Sequence, residues 1–398
     1  MLLAAGVACH PSVRSNAQNG LIRIPNELAH GHPWFPNSVR SPNSPGASIT
    51  IPVEILAGTL LIRGSIRGRP ISAVFDTGCA RVILTPHLVR ALHLPIAEEH
   101  LTIEGSTGAT HRGLSSVHID RLEIGGAPIV NQEALVDDLA LLESGLGVPV
   151  DAIIGAGALR DQLVTVDYDR KQIVVEGGEI PVPDGVEILP ATWSAGIPYV
   201  RLMVSGHPVM AVVDSGSSGG FALPSSLQKD LAFFKQPVPG HLAWGLTGTM
   251  REMAATIDGS IEVGRYHFDT PPVTLWTGDT SIGWDILRHF VVTLDAAHQR
   301  VRFARLSREA ILLAPDRTGG FGVRKRDGHW IVADLIPNVE SAAAIHLDDL
   351  ILSVNGVVAD TLTRDDWNRL LEGSVLRVSI MRGTEKLQVE VPVVELPF

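Results

Sequence analysis

Hydrophobic and polar positions alternate along residues 59–68 (TLLIRGSIRG), and a short apolar run, ISAVF, follows at 71–75; both predict β-strands, the second of them buried. Residues 86–94 predict a short helix. The Gly-rich EGSTGAT at 104–110 predicts the tip of a hairpin. Residues 151–166 then place a buried strand and a turn ahead of the helix-like ALRDQL. A Pro- and Gly-bearing join follows at 176–196, and after it the same kinds of element come round again.

The recurrence is literal. Residues 68–86 (GRPISAVFDTGCARVILTP) and 206–224 (GHPVMAVVDSGSSGGFALP) both start with Gly-x-Pro and rise through an apolar run to an aspartate, Asp76 and Asp214. A small hydroxyl residue and a glycine follow each aspartate. Further on, EGSTGAT is matched by WGLTGTM at 244–250, and IDRLEIGG at 119–126 by IDGSIEVG at 257–264. IIGAGALRDQLVTVD at 153–167 and SIGWDILRHFVVTLD at 281–295 align without a gap. Matched blocks in one order predict a duplicated β domain, with lobes at residues 51–178 and 195–306.

Beyond residue 306 the pattern changes. Residues 316–395 predict short strands around one small helix, then a capping box at 363–366 opening a helix that ends near Gly373, and two closing strands, VLRVSIMR and KLQVEVPVV. This is a compact α+β module rather than a third copy of the lobe.

Composition narrows the function classes. A chain of 398 residues is long enough for two or three domains. Net charge is -11 with no basic cluster, so there is no nucleic-acid footprint. Two cysteines, Cys9 and Cys79, are too few for a disulfide framework, and Cys79 stands where the second copy has Ser217, as a small packed residue. No run of about 18 apolar residues is present to form an ordinary membrane-spanning helix. Residues 1–50 read as an export segment and a flexible tether, or a propeptide, rich in Pro, Asn, Ser and Gly. The apolar start, MLLAAGVAC, leaves three readings open: lipid attachment at Cys9, cleavage after Ala17, or a misplaced start on a cytoplasmic protein. The first two imply the periplasm or cell envelope. His30 and His32 lack carboxylate or thiol partners at ligand spacing, so no metal is expected.

Two equivalent lobes bring equivalent residues together at their interface, which sets Asp76 against Asp214. Close carboxylates cannot both ionise easily, so the pair shares a proton. One member can then draw a proton from water while the other donates to a carbonyl oxygen. Thr77 and Ser215 can bond across the interface, and Gly78 and Gly216 let backbone amides approach the carboxylates. G-x-S-x-G at 216–220 and the GxG at 155–157 lack the context of a nucleophile elbow or a dinucleotide fingerprint.

On both D-[TS]-G motifs and both apolar-Gly segments, Ile154-Gly155 and Ile282-Gly283, the chain resembles the aspartic proteases over about 250 residues, as two fused retropepsin-type lobes in a pepsin-like bilobal fold. The shared-proton dyad of that family is a standard worked case. The resemblance implies a mainly β endopeptidase acting on a peptide or protein substrate through Asp76 and Asp214, with no cofactor. No tyrosine lies between Asp76 and Asp151 to serve as a pepsin-like flap tyrosine. The two Gly-x-Thr-Gly hairpins instead suggest a pair of similar flaps, at Gly105, Thr107 and Gly108 and at Gly245, Thr247 and Gly248.

Gly320-Phe321-Gly322-Val323 and the segment that follows it resemble a PDZ domain. That resemblance implies that Phe321, Gly322 and Val323 capture the terminal carboxylate of a peptide ligand, beside a groove helix at 364–372. A rival reading is a catalytically silent peptide-binding scaffold that keeps the protease fold.

Overall fold

The computed structural model describes residues 48–104, 110–340 and 343–397. The chain is mainly β, with short helices α1 (Pro86–Ala91), α2 (Ala140–Leu146), α3 (Trp284–Leu287) and α4 (Arg364–Leu370). Cys9, His30, His32 and the rest of residues 1–47 lie outside the described residues, as do the first Gly-x-Thr-Gly tip and part of the small helix expected after residue 339.

In the first half, the strand Arg69–Asp76 runs parallel to Ala152–Gly155, with Asp76 opposite Gly155. Val82–Leu84 pairs antiparallel to the other side of Ala152–Gly155 and parallel to Ala127–Val136. The second half pairs its strands in the same way. His207–Val213 runs parallel to Ser281–Ile282, and Phe221–Pro224 pairs antiparallel to that strand and parallel to Pro272–Trp276. The glycine after each Ile is forced by the crossing. A Cβ on Gly155 would sit 2.4 Å from Cys79 O, and one on Gly283 would sit 2.5 Å from Gly219 O.

The halves are joined by a common sheet in which Leu163–Asp167 pairs antiparallel to Phe290–Asp295. Thr165 lies opposite Thr293, and their hydroxyls are 3.0 Å apart. Ser48–Leu56 and Gln172–Glu176 extend this sheet on one side, Arg300–Arg305 and Ile188–Ser194 on the other. Boundaries shift accordingly. The first strand starts at Ser48, inside the stretch expected to be tether, and Ile188–Ser194 is a strand within the expected join. ALRDQL gives only a 3-10 turn, Ala156–Leu159, because the chain must reverse at once into the shared sheet.

Residues 316–396 form a separate sheet, in the order Phe321–Arg326, His329–Leu335, Leu350–Val354, Val375–Arg382, Glu385–Pro392, beside a two-stranded ribbon of Asp316–Thr318 with Val394–Leu396. The core of this module contains Phe321, Trp330, Ile351, Trp367 and Val378, and the two indoles meet edge to face at 5.8 Å. The predicted capping box forms: Thr363 and Asp366 bond reciprocally at the start of α4.

Phe303 is fully buried, edge to face with Phe290 at 5.7 Å, under the shared sheet. Phe303→Ala should therefore lower unfolding free energy by about 3–5 kcal/mol in urea titration. Phe234, 69% exposed, should change it by less than about 0.5 kcal/mol when replaced by Ala.

Candidate active site

Each aspartate ends a buried strand, and the backbone turns immediately after it so that the following amides point back at the carboxylate. Gly78 N–H donates to Asp76 Oδ1 at 2.8 Å, and Gly216 N–H to Asp214 Oδ1 at 2.9 Å. Across the interface the bonds are reciprocal. Thr77 N–H donates to Ser215 Oγ at 3.0 Å and Ser215 N–H to Thr77 Oγ1 at 2.9 Å. The hydroxyls in turn donate to the carbonyls just ahead of the opposite aspartates, Thr77 Oγ1 to Val213 O and Ser215 Oγ to Phe75 O.

The glycines are required by this approach. A Cβ on Gly78 would lie 2.5 Å from Asp214 Oδ1, and one on Gly216 would lie 2.5 Å from Asp76 Oδ1. Each aspartate thus rests on the glycine of the opposite motif, and both are essentially fully buried. The six residues singled out around the dyad, Asp76, Thr77, Gly78, Asp214, Ser215 and Gly216, come together as one cluster.

The two carboxyls are not equivalent. Asp214 Oδ1 also accepts from Ser217 N–H at 3.2 Å. Asp76 has only the Gly78 amide, and its Oδ2 is buried without a donor N–H or hydroxyl. Burial lifts Asp214 to about 6, against the pull of its amide donors and of Asp76. Burial, the charge of Asp214 and the nearby Cys79 push Asp76 well above the usual carboxylate range, opposed by the Gly78 amide alone. Asp214 thus has two amide donors where Asp76 has one, and the position with more donors is the better suited to negative charge. Cys79 is buried and free of any disulfide, its thiol donating to Arg81 O at 3.3 Å.

Residues 62–158 match the family model for aspartyl proteases. The matched stretch carries Asp76 and ends before Asp214. It supports an aspartic protease, a hydrolase whose substrates are peptides or proteins. No curated protein matches the chain.

Other predicted residues lie in different settings. Gly105, Thr107 and Gly108 are outside the described residues. Gly245 and Gly248 pair across the turn that holds Thr247, as expected of a hairpin tip. This tip is seated, however: Leu246 is buried in an apolar cluster with Leu56, Leu61, Leu139 and Leu142 of the first half, and Trp244 packs against the same cluster. Phe321, Gly322 and Val323 were expected to offer amides to a peptide terminus. All three are buried, on an edge strand against which α2 and the strand Phe233–Gly245 pack.

One buried tyrosine belongs to no motif. Tyr168, at the end of Leu163–Asp167, is buried edge to face against Trp284 at 5.2 Å. Burial, and then the charges of Asp214 and Asp76, raise its phenol pKa. The aligned position in the second copy is Ala296, so the repeat gives no hint of it.

Raised carboxyl pKa values mean that the folded protein holds protons that the unfolded chain releases. The stabilisation is fully present below the ordinary Asp pKa and is lost as pH rises through the folded values, from about 4 to 6 and above. The doubly substituted protein, Asp76→Asn with Asp214→Asn, should exceed the wild type in stability at pH 7 by about 1–3 kcal/mol. The difference should close near pH 4 in urea unfolding at each pH. An equal difference at both pH values would contradict the raised pKa values.

Proposed function

We propose that the chain is an aspartic endopeptidase made of two duplicated lobes, which binds an extended peptide between them and hydrolyses it with Asp76 and Asp214. The observation that carries this reading is the reciprocity at the dyad: each aspartate abuts the glycine of the opposite motif, and each hydroxyl bonds to the opposite strand. Asp214, ionised and held by two amides, takes a proton from water as the water oxygen attacks the scissile carbonyl carbon. Asp76 gives its proton to the carbonyl oxygen. Collapse of the resulting diol breaks the C–N bond, Asp214 delivers its proton to the leaving nitrogen, and Asp76 regains one from the diol. Thr77 and Ser215 hold the geometry and touch no reacting atom.

The same proposal reads residues 316–395 as a PDZ-like module for peptide or partner recognition, and places the enzyme outside the cytoplasm on the strength of its apolar start. Fractionation of cells producing the full chain, with lipid labelling at Cys9, tests the location.

Incubation of a diverse peptide mixture with the protein, read by mass spectrometry, should give cuts that vanish in Asp76→Asn and in Asp214→Asn. The rate loss should be about 10²–10⁴-fold or more in each. Normal turnover in either variant would sink the mechanism. Gly216→Ala should be comparably inactive, since its methyl would stand where the Asp76 carboxylate lies.

The pH profile follows from the dyad. With Asp214 near 6 and Asp76 higher, the singly protonated pair is populated around and above pH 6. The profile of kcat/KM should be a bell with its acid limb near pH 6, and an optimum near pH 3 would contradict it.

A further inference from the structure

Among the described residues the strand Phe321–Arg326 lies at the edge of its sheet, where it pairs with His329–Leu335. An open edge of this kind is where an extended peptide adds as a further strand. Here the chain's own first half lies against it. α2 packs on the strand, and Gly147 at the end of α2 is so close to Trp330 that a Cβ there would come within 3.1 Å of the indole. On the same strand Arg324 stacks over Trp244 of the second hairpin at 5.9 Å.

Arg364, the first residue of α4, bridges the two sides. It is 1% exposed, and its Nε donates to Gly145 O at 2.8 Å while Nη2 donates to Val323 O at 2.9 Å. Its Nη1 is buried without a partner, and among the described residues no carboxylate forms an ion pair with it. The guanidinium lies over the Trp330 indole at 4.7 Å and its hydrogen bonds go only to carbonyls; a carboxylate is the anion whose geometry fits the remaining donor.

The C-terminal module also packs on the hairpin at residues 233–257. Asp334 of the C-terminal module accepts from Leu242 N–H at 3.1 Å and pairs with Arg251, while Val238 and Ala254 pack on Ile336, Val339 and Leu396. Ala57 N–H donates to Asp365 Oδ1 at 2.7 Å, tying α4 to the first half a second time.

We propose that α2 is an internal occupant of the face formed by Arg364 and the edge strand Phe321–Arg326. The carboxyl-terminal residues of an extended peptide compete with it for that face, and their binding releases the hairpin at 233–257 from the module. The inference rests on reading the module as a peptide-recognition domain. The incoming carboxylate supplies the anion Arg364 lacks, and the peptide backbone pairs with the strand edge that α2 covers. Docking on α2 and binding of the peptide are mutually exclusive.

The test uses the full chain with Cys9→Ser and with Asp214→Asn to prevent cutting, carrying Ala57→Cys and Asp365→Cys so that oxidation locks α4 onto the first half. The probe is a pool of random heptapeptides ending in a free-carboxylate apolar residue, with the same pool amidated as control. The reduced protein should retain the free-acid pool at least tenfold better than the oxidised protein does, and better than it retains the amidated pool. Hydrogen exchange at 140–148 and 233–257 should quicken when the pool binds. A second variant, Asp334→Asn, which weakens the docking without a cross-link, should retain several-fold more peptide than the protein with Asp334 intact. Equal retention by oxidised and reduced protein would leave the module a peptide binder and overturn the exclusion. No retention by the reduced protein or by Asp334→Asn would overturn the recognition reading and the proposal together.

Discussion

Two hydroxyl groups, Thr77 Oγ1 and Ser215 Oγ, each accept the amide of the other's residue and donate to the carbonyl ahead of the other's aspartate. The halves cannot shift by an ångström relative to one another without breaking all four bonds in a buried setting, where lost partners are not replaced by water. The rest of the molecule follows from that constraint. The glycines must lack side chains because the opposite carboxylates occupy the space. The apolar-Gly strands must thread beneath the two turns, and the strands that leave them must meet in a common sheet about Thr165 and Thr293. Burial of the carboxyls is thus a consequence of how the halves are locked, and the raised pKa values are a consequence of burial.

Much of this is legible in the sequence because a short motif that recurs within matched blocks is seldom a chance occurrence. Asp76 and Asp214, their hydroxyl neighbours and their glycines were found by matching one half of the chain with the other, and the ungapped match at 153–167 and 281–295 pointed to the strands that now pair in the shared sheet. Asymmetric features were harder to read. Tyr168 has an alanine as its counterpart. Arg364 stands in the sequence within a capping box and at the start of the expected groove helix; its burial depends on α2, more than 200 residues earlier, and leaves no local mark. The seated tip of the second hairpin did leave a trace: the first copy has Ser106 where the second has Leu246, and an apolar residue at an exposed turn needs a surface to cover it.

The C-terminal module shows how an edge strand is managed. A free row of amides and carbonyls at Phe321–Arg326 would invite association with other chains. The protein spends α2 and one hairpin strand on covering it, fastened by Arg364 and by the Arg251–Asp334 pair. Neither half could supply this cover alone, since α2 belongs to the first and the hairpin to the second. The module therefore spans the junction that the dyad also spans, on contacts of its own.

The unequal hydrogen bonding of the two aspartates has a further consequence. A polypeptide has a direction, and a site with true twofold symmetry would present the same groups to a substrate lying one way or the other. Here Ser217 N–H serves Asp214 alone, Cys79 lies by Asp76 alone, and the C-terminal module leans on the second hairpin. For an enzyme of the proposed kind, these differences distinguish the amino-terminal side of the cleft from its carboxyl-terminal side. Such an enzyme would read an extended substrate in a single sense.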